Sequence, residues 1–121
     1  GPLADRGPQG GPLQNTITIE EFGKVEVRVG KVVEAKNKEG SEKLIRLVVD
    51  VGDKTPRVIF TGVRGYGYTP EDFSGKQFFF VVNLAPRKML DEESQGMILA
   101  VDLPAQAGSA DKSKPLLTSG I

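Results

Sequence analysis

The chain of 121 residues contains no cysteine, no histidine and no tryptophan. The first two absences exclude a Cys/His zinc site, a disulfide framework, a cysteine nucleophile and a Ser-His-Asp triad. The side chains that remain for catalysis are carboxylates, hydroxyls, lysine and arginine. The carboxylate cluster Asp91-Glu92-Glu93 has no second cluster and no phosphate-cradling glycine loop to complete a site, so we interpret it as a solvated turn. We therefore expect no catalysis, no metal and no cofactor.

Charge of neither sign is in excess, because 16 Lys and Arg residues balance 16 Asp and Glu residues. A zero net charge gives no global positive field to attract nucleic acid or an anionic membrane, so such a partner needs a local patch. Long hydrophobic runs are also missing. The longest, residues 78–82, is far shorter than the roughly 20 residues of a membrane-spanning helix. These features favour a cytoplasmic protein with no membrane partner.

The chain divides into a central patterned region and two weakly patterned ends. Glycine and proline dominate residues 1–15, which we interpret as a disordered linker or the remnant of a cleaved tag. Residues 16–103 alternate apolar and polar positions in the manner of a single domain built from strands. Residues 104–121 form a C-terminal tail, in which Leu116, Leu117 and Ile121 could dock as a terminal strand.

The central region carries strand patterns with two short helix signals. Thr18 and Glu21 form a capping box, which predicts one helical turn before the first strand. Apolar residues then alternate, and Gly30 before Val32-Val33 suggests a bulge or a bend in a long first strand, at the point where the apolar set changes face. Further strands are predicted over residues 44–51, 57–63, 76–84 and 95–101, with a helix start at residues 69–72. This is the order of an OB-fold, an all-β, five-stranded Greek-key barrel with a short helix between strands 3 and 4.

Two loops frame one binding face of an OB-fold, and here they are residues 36–43 and residues 85–94. The second loop holds Arg87 and Lys88, which can neutralise phosphates. Met97 offers a polarizable contact for a base. Residues beside the second loop that can hydrogen-bond base edges or ribose hydroxyls are Asn83, Ser94 and Gln95. The first loop could widen the positive patch through three lysines, Lys36, Lys38 and Lys43. Glu39 and Glu42 in the same loop partly cancel their charge.

Five short motifs closely resemble the OB-fold tRNA-binding domain family. They are Ile19-Glu20-Glu21-Phe22, Val27-Arg28-Val29-Gly30-Lys31-Val32, Val49-Asp50-Val51-Gly52, Asn83-Leu84-Ala85-Pro86-Arg87-Lys88-Met89 and Glu93-Ser94-Gln95-Gly96-Met97. Members of this family occur as the C-terminal domain of methionyl-tRNA synthetases, as stand-alone dimeric tRNA-binding proteins and within eukaryotic synthetase-complex cofactors. The similarity covers residues 17–102.

The resemblance implies a non-catalytic module that binds tRNA by its shape and delivers or retains it for an aminoacyl-tRNA synthetase of the methionyl type. It implies that Asn83, Arg87, Ser94 and Met97 line the surface that contacts tRNA, with Lys88 adjacent. It also implies a homodimer, and the C-terminal tail could dock at its interface.

The chain departs from the family pattern at three places. Residues 36–41 lack the usual His-Pro step, Ala85 stands where lysine is frequent, and Thr61-Gly62-Val63 replaces Ser-Gly-Ile. These departures leave the affinity and the preferred tRNA open.

Structural alternatives exist for each candidate residue, and other function classes stay open. Asn83 can serve as a backbone-bonding residue, Ser94 can cap a turn, and Met97 can belong to the core or rim of the barrel. For Arg87 and Lys88 the alternative is an ordinary solvated pair. The second function class is a dimeric, secretion-chaperone-like barrel that binds unfolded polypeptide in an apolar groove. A third, a cytokine-like fragment of a synthetase cofactor, rests on family analogy.

Overall fold

The computed structural model describes residues 15–101 and 116–117, to which the structural statements below refer. Two 3₁₀ helices, Arg64–Tyr66 and Pro70–Asp72, connect the third and fourth strands. Residues 1–14 of the predicted linker, and Ile121 of the tail, lie outside the described residues. The other elements are α1 (Ile19–Phe22), β1 (Val27–Asn37), β2 (Ile45–Asp50), β3 (Arg57–Thr61), β4 (Gln77–Val81), β5 (Arg87–Met89), β6 (Glu92–Ser94), β7 (Met97–Ile98), β8 (Ala100–Val101) and β9 (Leu116–Leu117).

The long strand β1 is the centre of a five-stranded antiparallel sheet with the order β3-β2-β1-β4-β7. Residues 27–31 of β1 pair with β4, and residues 31–37 pair with β2. One strand can serve two partners in succession because it bends and coils between them. The arrangement confirms the predicted OB-fold, an all-β barrel with a short helix between β3 and β4.

The barrel closes along the free edge of β3, where side chains replace part of a strand ladder. Phe60 N donates to Ser94 Oγ at 3.0 Å, and Val58 N donates to Gln95 Oε1 at 3.1 Å. In return, Gln95 N donates to Val58 O at 2.8 Å. The end of β6 is thereby joined to β3, which satisfies backbone groups that would otherwise form an unpaired sheet edge.

Alternate strand residues fill the interior of the barrel. Phe73 follows the second 3₁₀ helix, and its ring centroid lies 5.4 Å from that of Phe78, which lies 6.5 Å from that of Phe80. Such tilted and edge-on ring pairs add to the stabilisation from buried apolar area, and they anchor the short helix to the barrel. The buried apolar cluster comprises Val32, Ile45, Leu47, Val49, Val51, Ile59, Val63, Phe73, Phe78, Phe80, Val82 and Ile98.

Both predicted helix starts are present as capped turns. Glu21 N donates to Thr18 Oγ1 at 3.1 Å and Thr18 N donates to Glu21 Oε1 at 2.9 Å, which confirms the capping box of α1. Thr69 N likewise donates to Asp72 Oδ2 at 2.8 Å. The helix that this cap begins, Pro70–Asp72, is a single 3₁₀ turn. None of the helices in the described part of the chain is long and apolar enough to cross a membrane.

The bulge in β1 lies at Val33, where the register shifts between Val32 and Glu34, so the predicted position at Gly30 is wrong. Gly30 instead pairs regularly with Phe78 inside the barrel. A Cβ atom at Gly30 would lie 2.7 Å from Phe80 Cδ2 and 2.7 Å from Val49 Cγ1. The glycine is therefore required by close packing, and not by an irregular backbone.

Two further segments differ from the sequence prediction. Residues 85–94, predicted as a loop, contain the hairpin β5–β6, whose turn places Leu90 at a φ of 62°. Residues 95–101, predicted as one strand, form two: β7 pairs with β4, whereas β8 pairs with β9. Leu116 and Leu117, which the sequence offers as a docking strand, constitute β9.

Replacing Gly30 with alanine tests the packing explanation. The added methyl group has to displace Phe80 or Val49 in a close-packed core, so we expect the free energy of unfolding to fall by about 1–3 kcal/mol. Gly62→Ala is the matched control, because a Cβ atom at Gly62 meets nothing within 4 Å. It should change stability by less than about 0.5 kcal/mol. Urea denaturation measures both, and an unchanged midpoint for Gly30→Ala would contradict the explanation.

Candidate nucleic-acid interface

The hairpin β5–β6 presents the two adjacent cations, Arg87 and Lys88, that the sequence singles out. Arg87 is paired in register with Ser94, and Lys88 with Glu93. Because neighbouring strand residues point to opposite faces, the two cations project to opposite sides of the hairpin. Both are exposed, and neither takes part in a salt bridge within residues 15–101. Their charge is therefore available to phosphate groups.

A cluster of ion pairs, which we call the Glu92 clamp (Glu92, Asp91, Arg46 and Lys38), holds this hairpin against the barrel. Arg46 on β2 binds the Glu92 carboxylate with both Nε and Nη2, each at 2.9 Å. Lys38 donates to Glu92 Oε1 at 3.0 Å and lies 2.6 Å from Asp91 Oδ1. Bidentate, charge-assisted hydrogen bonds are strong and directional. They fix the tip of the hairpin relative to β2 and to the loop after β1.

The clamp also changes the ionisation of its members. The hydrogen bonds from Arg46 and Lys38 lower the pKa of Glu92 from its ordinary value of 4.5 to about 2. The hydrogen bond from Lys38 lowers the pKa of Asp91, and the bonds to Asp91 and Glu92 raise the pKa of Lys38. Glu92 is thus an ion-paired anchor, which corrects its interpretation as part of a solvated turn.

The three lysines predicted to widen the positive patch have different environments. The side chain of Lys38 is 11% exposed and directs its ammonium to Asp91 and Glu92, with the ring of Phe60 at 5.4 Å. Lys36 and Lys43 are exposed. The structure therefore leaves Lys36 and Lys43 as the loop lysines whose charge faces solvent, while the charge of Lys38 is balanced within the clamp.

Asn83 ties the start of the hairpin region to the segment before β1. Its Oδ1 atom accepts from Glu26 N at 2.8 Å, and its Nδ2 atom donates to Lys24 O at 2.5 Å. Next to it, Val82 N donates to Glu26 O at 2.9 Å. The amide side chain extends the β1–β4 ladder by one step, a backbone-bonding role in the folded chain.

Ser94 lies in the closure of the barrel and is 3% exposed. Its hydroxyl accepts from Phe60 N and donates to Gly96 O at 3.2 Å. The chain passes so close to the sheet here that a Cβ atom at Gly96 would lie 2.9 Å from Val81 O and 3.0 Å from Ile59 Cδ1. This part of the motif is therefore used for packing and hydrogen bonding of the scaffold.

Met97 lies on the sheet face that points away from the barrel interior. It pairs in register with Val81, which pairs with Val27, so the three side chains share one face. Val29 pairs with Phe79 on the same face one step further along β1. We call Val27, Val29, Phe79 and Met97 the outer apolar face; Val27, Val29 and Met97 are 45%, 43% and 47% exposed.

Arg57 is a residue of this region that sequence reasoning missed. Its Nη1 atom donates to Val82 O at 2.6 Å and to Gln95 O at 3.1 Å, and its Nε atom donates to Asp53 Oδ2 at 2.7 Å. It therefore joins the two ends of the segment that contains the hairpin. The two residues whose carbonyl groups accept these bonds lie 25 and 38 positions away along the chain, so no local sequence pattern predicts the bonds.

Comparison with protein families and curated sequences gives consistent matches. A family model described as "Putative tRNA binding domain" matches residues 27–118. The methionine-tRNA ligase of Cupriavidus necator is 48% identical over 89 residues, which are 74% of this chain and 13% of the ligase. That of Ralstonia nicotianae is 44% identical over 110 residues, 88% of this chain and 16% of the ligase. The chain thus spans a small fraction of the length of these relatives.

Solved structures with the same fold include two types of protein. The methionyl-tRNA-synthetase-related protein of Pyrococcus horikoshii is 36% identical with a TM-score of 0.73, over 88% of this chain and 90% of that chain. The chaperone CsaA of Bacillus anthracis is 26% identical with a TM-score of 0.67, over 88% and 90% of the two chains.

The Glu92 clamp predicts a specific dependence of stability on pH. Because the folded-state pKa of Glu92 is depressed to about 2, its ionised form stabilises the fold above pH 4.5, and this contribution is lost as the pH falls towards 2. Glu92→Gln should therefore have a lower urea midpoint than the wild type at neutral pH. The difference between the two midpoints should disappear as the pH falls from 4.5 towards 2.

Glu93→Gln is the matched control, because Glu93 is exposed on the other face of the hairpin and lies outside the clamp. It should follow the wild type at every pH. A Glu92→Gln gap that stays constant from neutral to acid pH would contradict the assignment of the clamp.

Proposed function

Because the chain belongs to the tRNA-binding domain family, we propose that it is a non-catalytic module that binds tRNA and holds it for an aminoacyl-tRNA synthetase of the methionyl type. The observation that carries the proposal is the rigid display of Arg87 and Lys88, two exposed cations on a hairpin that the Glu92 clamp fixes to the barrel. A fixed hairpin spends less conformational entropy on binding than a free loop does.

The charge distribution supports electrostatic capture of phosphates by unpaired local cations. The whole chain is neutral, so attraction to phosphates has to come from local cations that are not already paired. Within the described residues, the exposed cations at the two predicted binding loops that meet this condition are Arg87, Lys88, Lys36 and Lys43, and those elsewhere are Lys24, Lys31, Lys54 and Lys76. Each phosphate contact releases counterions, so binding through so few cations is moderate in strength and weakens as salt rises.

The role in synthesis of aminoacyl-tRNA follows from the relatives. The 89 matched residues are 13% of the length of the Cupriavidus necator methionine-tRNA ligase. The family resemblance assigns them to the C-terminal region of such enzymes. A module that binds tRNA and is joined to, or associated with, a synthetase raises the effective concentration of tRNA at the catalytic site. For a module with this role we propose a cytoplasmic location, with tRNA and the synthetase as its partners.

The outer apolar face supports a homodimer. Val27 and Val29 on β1 and Met97 on β7 expose apolar surface on the same sheet face, with β4 between the two strands, and a monomer gains nothing from this exposure. A second copy presents the same face and can cover it through a two-fold axis. The two barrels would then act together in binding one large RNA.

A polypeptide-binding function is the second candidate. The structural similarity to the chaperone CsaA favours it, and the outer apolar face could take an extended apolar segment. The paired cations on the clamped hairpin favour tRNA instead, because an apolar segment has no charge for them to bind.

The double variant Arg87→Ala with Lys88→Ala tests the proposed function. It should bind tRNA about tenfold more weakly or worse, because two charge-assisted contacts to phosphate are removed. It should also reduce the slope of log affinity against log salt by about one to two. Filter binding with tRNA at several salt concentrations measures both quantities.

The control is Lys31→Ala with Lys76→Ala, which removes the same charge from exposed positions outside the hairpin. An equal loss in both double variants would point to a general charge effect and contradict the hairpin assignment. Adding an unfolded polypeptide as competitor separates the two candidate functions. Displacement of tRNA that is independent of Arg87 and Lys88 would favour the chaperone-like function.

Val29→Lys tests the homodimer. A lysine on the outer apolar face buries one charge from each copy in the proposed interface and desolvates both, so the protein should sediment as a monomer. Tyr66→Lys is the control, since Tyr66 is exposed in a 3₁₀ helix away from this face. Analytical ultracentrifugation at several concentrations checks the result, and an unchanged dimer in Val29→Lys would exclude this interface.

A further inference from the structure

A pocket of about 450 Å³ opens beside the start of the basic hairpin. One wall is the turn between β2 and β3, and the other is the segment that leads from β4 into β5. The volume lies within the roughly 300–1,000 Å³ of pockets that hold small ligands. The lining residues are Asp53, Thr55, Pro56, Arg57, Val82, Leu84, Pro86 and Gln95. None of them belongs to the clamp or to the two cations that carry the proposed function.

Part of the pocket wall is apolar and can contact the face of a flat ring. Pro56 comes from the turn, whereas Leu84 and Pro86 come from the segment before Arg87. Leu84 is 46% exposed, so its apolar side chain is partly uncovered at the edge of the pocket. Unpaired nucleobases are held between apolar or aromatic side chains in this way, because each ring face is apolar while its edge is polar.

Fixed hydrogen-bond donors line the same pocket. Arg57 uses Nε for Asp53 and Nη1 for Val82 O and Gln95 O, so Nη2 is the nitrogen that can donate to a ligand. Gln95 uses Oε1 to accept from Val58 N, which leaves its Nε2 group as a donor of fixed orientation. Thr55 adds a hydroxyl. These groups match the ring nitrogens and carbonyl oxygens along the edge of a base.

We infer that this pocket binds one unpaired nucleobase of the tRNA, while Arg87 and Lys88 hold phosphates of the same strand. The inference rests on the proposed function and adds to it a contact with a base. Pro86 lines the pocket and Arg87 follows it directly in the chain, so base and phosphate contacts adjoin each other. The base has to be unpaired and unstacked, because the ring faces of a base within an RNA helix are covered by its neighbours and cannot enter a pocket.

Thr55→Phe is the principal test, because it fills the pocket from an exposed position without removing a cation. It should weaken binding of tRNA about tenfold, the effect of losing one stacked base. The salt dependence of binding should stay unchanged, since no phosphate contact is lost. Ser74→Phe, which adds the same ring at an exposed position outside the pocket, should bind as the wild type does.

Leu84→Ala, the second variant, removes an apolar part of the pocket wall. It should weaken tRNA binding and leave the salt dependence of binding unchanged. This variant replaces Thr55→Phe as the test if Thr55→Phe does not fold. Full tRNA affinity in either folded pocket variant, with the loss in the Arg87 and Lys88 double variant intact, would overturn the pocket and leave the proposed function standing. Absence of tRNA binding by the wild type would overturn both.

Titration with nucleoside monophosphates, followed by NMR, identifies the bound group. AMP, GMP, CMP and UMP are added separately, and inorganic phosphate is the control probe. We expect at least one nucleotide, and not phosphate, to shift the side-chain amide signals of Gln95, and Thr55→Phe to abolish the shift. Equal shifts with inorganic phosphate would overturn the assignment to a base in favour of a simple anion site.

Discussion

The structure depends on closure of the barrel at the free edge of β3. Closure uses the hydroxyl of Ser94 and both the backbone and the side chain of Gln95, which bond to Phe60 and Val58. An open edge would leave backbone groups unpaired and the core uncovered on one side. Because Ser94 ends β6, the same bonds that close the barrel also hold one strand of the basic hairpin. The position of the candidate interface is therefore a consequence of how the fold is completed.

Ion pairing explains how a neutral chain can offer a positive surface. Arg46 and Lys38 are balanced by Glu92 and Asp91, and Arg57 by Asp53. Asp91 and Glu92 at the hairpin would repel phosphates if they were unpaired, but the clamp balances their charge with cations of the barrel. Arg87 and Lys88 keep their charge for a ligand because the cations and carboxylates of the clamp pair with one another, and the carboxylate that stays unpaired beside them within the described residues is Glu93, opposite Lys88. A local field on a neutral protein thus comes from selective pairing within it.

Local patterns in the sequence predicted the strands and the capped turns, because alternation and capping act between near neighbours. The OB-fold was predicted from the order of these elements together with the motifs that resemble the tRNA-binding domain family. The hairpin was missed since its turn at Leu90 contains no glycine or asparagine, the usual signal for a positive φ. The bulge was placed at Gly30 because a glycine in a strand suits either a bulge or a close approach, and only the packed core distinguishes them. The bond between Arg46 and Glu92 joins residues 46 positions apart and has no local signature.

The motifs that carry the family resemblance combine two kinds of residue. Asn83, Ser94 and Gly96 bond or pack against backbone of the barrel, so their presence specifies where the hairpin sits. Arg87 and Lys88 protrude from that hairpin and make no such contacts within the described chain. A substitution at one of these scaffold residues would affect binding indirectly, by moving the cations. A substitution at Arg87 or Lys88 would affect it directly, by removing a charge that contacts phosphate. A change of specificity among related chains should then come most easily from exposed positions around the hairpin, because these can vary without opening the barrel.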